Sequence, residues 1–143
     1  MSEQKYDSCF VCGKANPIGL KIDFSYDESG AAYAELSVDK VFEGYPDLVH
    51  GGILSTLMDE VMAKAVIHSG KIAVTARLTV TYRKALAPGR RVIIKGWITR
   101  AKSRSLTAAA NISDESGVYA EAEALFIVPN KGHEESPLPN ILS

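Results

Sequence analysis

One run constrains this chain more than any other. From Ile53 to Ile67 the residues are mostly apolar, and Thr56, Glu60, Lys64 and His68 recur once every four positions. That spacing draws one narrow polar stripe down an otherwise apolar helix. Glu60 and Lys64 stand in the order that favours an i,i+4 ion pair, so the stripe is expected to face water. A helix apolar over most of its circumference has to be wrapped by something else. Ser69-Gly70 supplies the stop, with glycine at the position that ends helices.

The start of this helix is unusual. Val49-His50-Gly51-Gly52 precedes Ile53, so His50 and two glycines stand where Ser, Thr, Asp or Asn would supply a side-chain cap. The first N–H groups are then expected to lack a local acceptor, at the positive end of the helix dipole. Glycine there lets another molecule approach the backbone, so the end can hold a developing negative charge as an oxyanion hole does.

Asp59 lies off the polar stripe. It aligns at helical spacing with Gly52, Ser55, Met62 and Val66, which places it towards the interior. A carboxylate there costs desolvation unless it has a partner or a task. A hydrogen-bonded structural Asp at a helix–helix contact fits the position as well as a catalytic one. Gly51 and Asp59 are about 12 Å apart along one helix, too far to act on the same carbonyl. If both serve one reaction, they come from two antiparallel helices. The chain has one such helix, so the implied site belongs to a homodimer.

With 143 residues the chain has room for one domain. A net charge of −1 argues against a general attraction to nucleic acid or an acidic membrane surface. Met1–Phe10 lacks the apolar region of a secretory signal, and the helix is too often charged to span a bilayer. A reduced cytoplasm is the expected compartment.

Taken in order, residues 1–19 read as an irregular arm holding Cys9-Phe10-Val11-Cys12-Gly13 and Asn16-Pro17-Ile18-Gly19. Leu20–Tyr26 and Ala31–Val38 read as two strands joined at the turn Asp27-Glu28-Ser29-Gly30. A loop with Phe42-Glu43-Gly44-Tyr45-Pro46 leads to the helix. After it, Ala73–Arg83 alternates with Ala76, Leu78, Val80 and Tyr82 on one face. Thr75, Arg77, Thr79, Thr81 and Arg83 take the other. Arg91–Arg100 follows with Val92, Ile94, Gly96 and Ile98 on one face and Ile93, Lys95, Trp97 and Thr99 on the other, then Arg104–Ile112 and Gly117–Val128. Residues 129–143 form a polar tail. Hairpin-length connections imply an antiparallel sheet, hence an α+β domain over 20–128 with one helix cradled in a curved sheet.

These residues resemble a family. The strand hairpin, Gly44-Tyr45-Pro46, His50-Gly51-Gly52 opening a central helix and Asp59 downstream are similar to the hotdog-fold acyl-CoA thioesterases. The nearest likeness is to their phenylacetyl-CoA thioesterase-like (PaaI-like) branch, one subgroup of which shares the motifs of the arm. The resemblance implies that acyl-CoA is the substrate, with no cofactor, and that the protein assembles as a homodimer or dimer of dimers. It also implies that the Gly51 N–H meets the thioester oxygen, with His50 beside it. Asp59 of the other subunit would be general base or nucleophile, assisted by Thr75. Two positions depart from the family pattern. Asp47 stands where many relatives have glycine, and Gly44 replaces an Asn or Gln that some relatives carry.

Gly52 and Ser55 are the expected substrate contacts beside Gly51, and Arg100, Lys102 and Arg104 the expected partners of the CoA phosphates. By alternation alone Thr75 is an exposed strand residue, and the basic turn is a solvated strand end. Cys9 and Cys12 form one Cys-x-x-Cys pair, for which two reduced structural thiols are the favoured reading and a metal or redox pair the lesser one. No metal is expected, and His68 and His133 read as surface residues. A non-catalytic acyl-CoA binder and a hotdog acyl-thioester dehydratase or hydratase are the competing functions.

Overall fold

The computed structural model describes residues 6–129. Most of the tail expected from Pro129 onward, His133 included, lies outside them. Six strands and one long helix follow the expected order: β1 Ser25–Tyr26, β2 Ala32–Leu36, α1 Gly51–His68, β3 Val74–Tyr82, β4 Val92–Ala101, β5 Ser105–Asp114 and β6 Gly117–Ile127. One antiparallel sheet, in the order β1-β2-β4-β5-β6-β3, wraps the helix. Among the described residues β3 is therefore an edge strand of the sheet.

Small side chains on the sheet let the helix approach. Ala108 and Ala110 of β5 and Ala120, Ala122 and Ala124 of β6 are buried, opposite Leu54, Leu57, Met58, Val61, Met62, Ala65 and Val66 of α1. On β4 the helix comes closer still. A Cβ at Gly96 would stand 2.9 Å from the backbone of Val61. Of the two faces set by alternation, the one with Val92, Ile94 and Gly96 is the buried one.

Three local readings change. The first strand keeps only Ser25–Tyr26 of the expected Leu20–Tyr26, because its earlier backbone is engaged elsewhere. Leu20 N–H bonds Phe10 O at 2.8 Å and Ile22 N–H bonds Val11 O at 2.9 Å, so this segment pairs with the arm. Lys21, at φ 55°, interrupts extended backbone as well.

The polar stripe is the second change. Glu60 and Lys64 do not face water: their side chains are 17% and 16% exposed, 4.0 Å apart and covered by the arm. Cys9 Sγ comes within 3.4 Å of Glu60 Oε2. Burial pushes the Glu60 carboxyl up to about 7. His68, at the end of the stripe, is exposed as expected and stacks on Tyr26 with ring centroids 4.0 Å apart.

The third change is a β-bulge in β3. Thr75 pairs with Phe126 of β6 and Arg77 pairs with Leu125, leaving Ala76 unpaired between them. Directly opposed residues share a face, and Phe126 is 1% exposed on the helix side. The extra residue thus turns Thr75 from the outer face, where strict alternation places it, towards the helix.

Candidate active site

Helix α1 begins at Gly51 with His50 as its cap residue. The expectation of an uncapped start is corrected here. His50 Nδ1 accepts the Gly52 N–H at 2.8 Å, so a side-chain cap exists but belongs to histidine. Because Nδ1 is the acceptor, the proton of the neutral ring resides on Nε2. Gly44 makes room for this ring: a Cβ there would lie 3.1 Å from His50 Cδ2. Gly52 does the same from the other side, where a Cβ would stand 3.0 Å from Nδ1. The absence of an Asn or Gln at position 44 thus has a steric counterpart in the placement of His50.

With Gly52 capped, Gly51 carries the donor left over. Ile53 and Leu54 N–H both go to His50 O, and the Gly51 N–H has no acceptor among the described residues. Tyr82, from the far end of β3, donates its hydroxyl to Gly51 O at 2.9 Å and meets Ser55 Oγ at 2.5 Å. Its ring would lie 3.4 Å from a Cβ at Gly51. Alternation puts Tyr82 on the apolar face of its strand and assigns it no role. Its alternation with Leu78 and Val80 was the signal that it reaches the helix.

Asp47, the other departure from the family pattern, has φ 64°. That is the left-handed conformation glycine adopts without cost and Asp tolerates better than most residues. Its N–H bonds the Glu43 carboxylate at 2.9 Å, so the loop shape is held with Asp in place. Glu43, Tyr45, Leu48, Leu54, Tyr82 and Leu86 are among the residues lining an open groove of about 860 Å³ that runs up to His50 and Gly51.

At the opposite end of β3 the bulge brings Thr75 to Asp59. Thr75 Oγ1 donates to Asp59 Oδ1 at 2.7 Å. Asp59 is half-buried and its second carboxylate oxygen is not held by a protein donor among the described residues. A carboxylate oriented through one oxygen and open at the other can take a proton from water. One edge strand therefore contacts the helix at both candidate groups, Tyr82 at Gly51 and Thr75 at Asp59. The two groups remain about 12 Å apart by helical rise within this chain.

The model of the thioesterase superfamily matches residues 47–121, which span the cap, the helix and most of the sheet. The chain belongs to the thioesterase superfamily. Mouse acyl-coenzyme A thioesterase THEM4 is 35% identical over 98 residues, covering 67% of this chain and 41% of that protein. The chain spans between 35% and 41% of the length of the curated relatives it matches. Two solved structures share the hotdog fold. A hypothetical thioesterase with coenzyme A from Streptococcus pneumoniae TIGR4 has a TM-score of 0.70 at 23% identity, covering 76% of this chain and 85% of the other. A point mutant of the phenylacetic acid degradation protein PaaI from Thermus thermophilus has a TM-score of 0.69 at 21% identity, covering 76% and 93%.

Within this superfamily fold the expected substrate contacts divide. Ser55 lies beside Gly51 through Tyr82. The Gly52 N–H is engaged by His50, so Gly52 offers a ligand only its exposed, side-chain-free backbone. Arg100, Lys102 and Arg104 are not brought to Gly51 in this chain. Lys71, just past the helix C-terminus, holds Lys102 O at 3.3 Å and Ser103 O at 3.1 Å. The basic turn thus sits at the other end of a helix about 27 Å long.

Proposed function

We propose that this chain is an acyl-CoA thioesterase that hydrolyses an acyl-CoA to the free acid and CoA, with each active site shared across a homodimer. The observation that carries the reading is the Thr75–Asp59 hydrogen bond, which fixes one carboxylate oxygen and leaves the other for water. The similar mouse protein is named for acyl-CoA hydrolysis, and CoA is bound in one structure of the same fold. The edge of β3, unpaired among the described residues, supports the dimer, since an unpaired edge strand is a template for pairing with another chain. Ser55, Thr56 and Asp59 next to it are half-exposed on the helix, where an antiparallel partner helix would pack.

In this mechanism Asp59 removes a proton from water, and the hydroxide oxygen bonds to the thioester carbon. The carbonyl oxygen takes the negative charge and receives the Gly51 N–H of the partner, reinforced by the helix dipole. The carbon–sulfur bond then breaks, and the proton held by Asp59 passes to the departing thiolate. His50 orders the helix start so that the remaining N–H points outward. The groove of about 860 Å³ beside His50 and Gly51 takes the acyl group. Arg100, Lys102 and Arg104 take no part in the bond changes and are the proposed partners of the CoA phosphates.

A panel of acyl-CoAs with a thiol-detecting reagent tests the activity, and no release of CoA from any of them rejects it. Shared sites are tested by mixing Asp59→Asn and Gly51→Val chains, each folded, dimeric and inactive alone. A heterodimer collects both lesions in one site and neither in the other. Random exchange should therefore restore up to roughly a quarter of wild-type sites. Verified heterodimers that stay as inactive as either parent would show that each chain holds its own site.

A further inference from the structure

The arm contains a cluster that hydrolysis does not use. Cys9-Phe10-Val11-Cys12 closes a tight turn: the Val11 and Cys12 N–H groups lie 3.4 and 3.5 Å from Cys9 Sγ, and the Gly13 N–H bonds Cys9 O at 2.9 Å. Gly13 is sterically required, since a Cβ there would stand 2.2 Å from Asp7 O. Two backbone bonds to Leu20 and Ile22 lay this turn over the helix, directly above Glu60. Cys9 Sγ, Cys12 Sγ and a Glu60 carboxylate oxygen all lie within 4.8 Å of one another, and all three residues are half-buried. Both cysteines are free thiols.

We propose that Cys9, Cys12 and Glu60 bind one zinc ion, with water as fourth ligand, and that this ion staples the arm to helix α1. The distances suit it. Tetrahedral zinc with a sulfur at about 2.3 Å and an oxygen at about 2.0 Å holds them about 3.5 Å apart. Cys9 Sγ and Glu60 Oε2 are 3.4 Å apart. N–H groups aimed at a sulfur are the outer contacts that orient a thiolate ligand. The charges suit it too. Two thiolates, a carboxylate and Zn²⁺ sum to −1, and Lys64 Nζ, 4.0 Å from Glu60 Oε2, brings the half-buried site to neutrality. A disulfide would engage only the sulfurs and would leave the convergence of Glu60 and Lys64 beneath the arm unexplained. Thiolates select zinc over magnesium or calcium. The arm has a physical need for such an anchor, because Val11 and Ile22 are the only buried hydrophobic side chains in residues 6–24.

The test uses the full chain purified under reducing conditions in zinc-containing medium. Elemental analysis should find one zinc per chain. Chelation should remove it, expose two reactive thiols and lower Tm, and Zn²⁺ alone should restore Tm. Co²⁺ added to the stripped protein should give thiolate charge-transfer absorption and a tetrahedral visible spectrum. Cys12→Ser should abolish that absorption, and Glu60→Gln should weaken metal affinity at least about tenfold. If Cys12→Ser fails to fold, the stripped wild-type chain and Glu60→Gln still decide the matter. The proposal is overturned by a purified chain with no zinc whose stripped form shows no thiolate absorption with Co²⁺. It is equally overturned by a Cys9–Cys12 disulfide in place of thiols, or by stoichiometric zinc retained in folded Cys12→Ser.

Discussion

Asp59 and Glu60 are neighbours on one helix and live in different surroundings. Asp59 faces the open β3 edge, held by one threonine hydroxyl, with an oxygen to spare. Glu60 lies under the arm among two thiols and a lysine, and it is the carboxylate the fold encloses. Helical spacing assigns them the other way round, Glu60 to solvent and Asp59 to the interior. Periodicity reports the faces of a helix but not what distant chain covers them. The covered flank of α1 should hold the protein together, and the open flank should carry its chemistry.

The sharpest way to break that division is to neutralise each carboxylate. Asp59→Asn should lower kcat roughly a hundredfold or more, the usual range for a lost general base, while Tm stays near wild type. Glu60→Gln should leave kcat within a few-fold and lower Tm instead. Steady-state kinetics beside thermal unfolding read both, and a greater loss of kcat in Glu60→Gln would reverse the assignment.

Much of this molecule was legible in its sequence, and the failures share a cause. The helix from Gly51 to His68, its stop at Ser69-Gly70 and the grouping of Val92, Ile94 and Gly96 on one face all follow from local periodicity. Gly70 does sit at φ 96°, as a helix-ending glycine should. What stayed hidden depends on pairing between remote segments. The arm takes the Leu20 and Ile22 N–H groups and shortens β1. It also closes over Glu60 from 51 positions away. His50 as a cap was hidden for a chemical reason, because an imidazole nitrogen accepts an N–H without belonging to the usual capping residues.

Two glycines test the same division between the flanks on the backbone. Gly51→Ala adds a Cβ at ordinary contact distance from the Tyr82 ring, 3.4 Å, so the fold should tolerate it. The methyl group nonetheless stands where a substrate carbonyl must approach, and kcat/KM should fall at least about tenfold, a fraction of the barrier one oxyanion donor can supply. Gly96→Ala on the covered flank should do the opposite. Its Cβ meets the Val61 backbone at 2.9 Å, and such overpacking typically costs about 1–3 kcal/mol. Denaturant unfolding would measure that loss, with activity per folded molecule retained. A Gly51→Ala chain that unfolds while keeping its specific activity would mean that the open flank is structural after all.

The smallest expected effect tests the bulge. Only the extra residue Ala76 brings Thr75 to the Asp59 side, and only its hydroxyl makes the contact. Thr75→Val keeps the branched shape and strand preference and removes the hydroxyl. The exposed setting of this bond places its worth at the lower end of the range, about 0.5–1.5 kcal/mol, so kcat should fall roughly three- to tenfold with KM little changed. Thr75→Ser keeps the hydroxyl and loses the methyl group, so it should stay within about twofold of wild type. The pair of variants separates orientation of Asp59 from packing of the strand. If Val matches wild type, the hydroxyl does not position the carboxylate. If Ser is as slow as Val, the methyl group is what matters, and the bulge serves the sheet rather than the reaction.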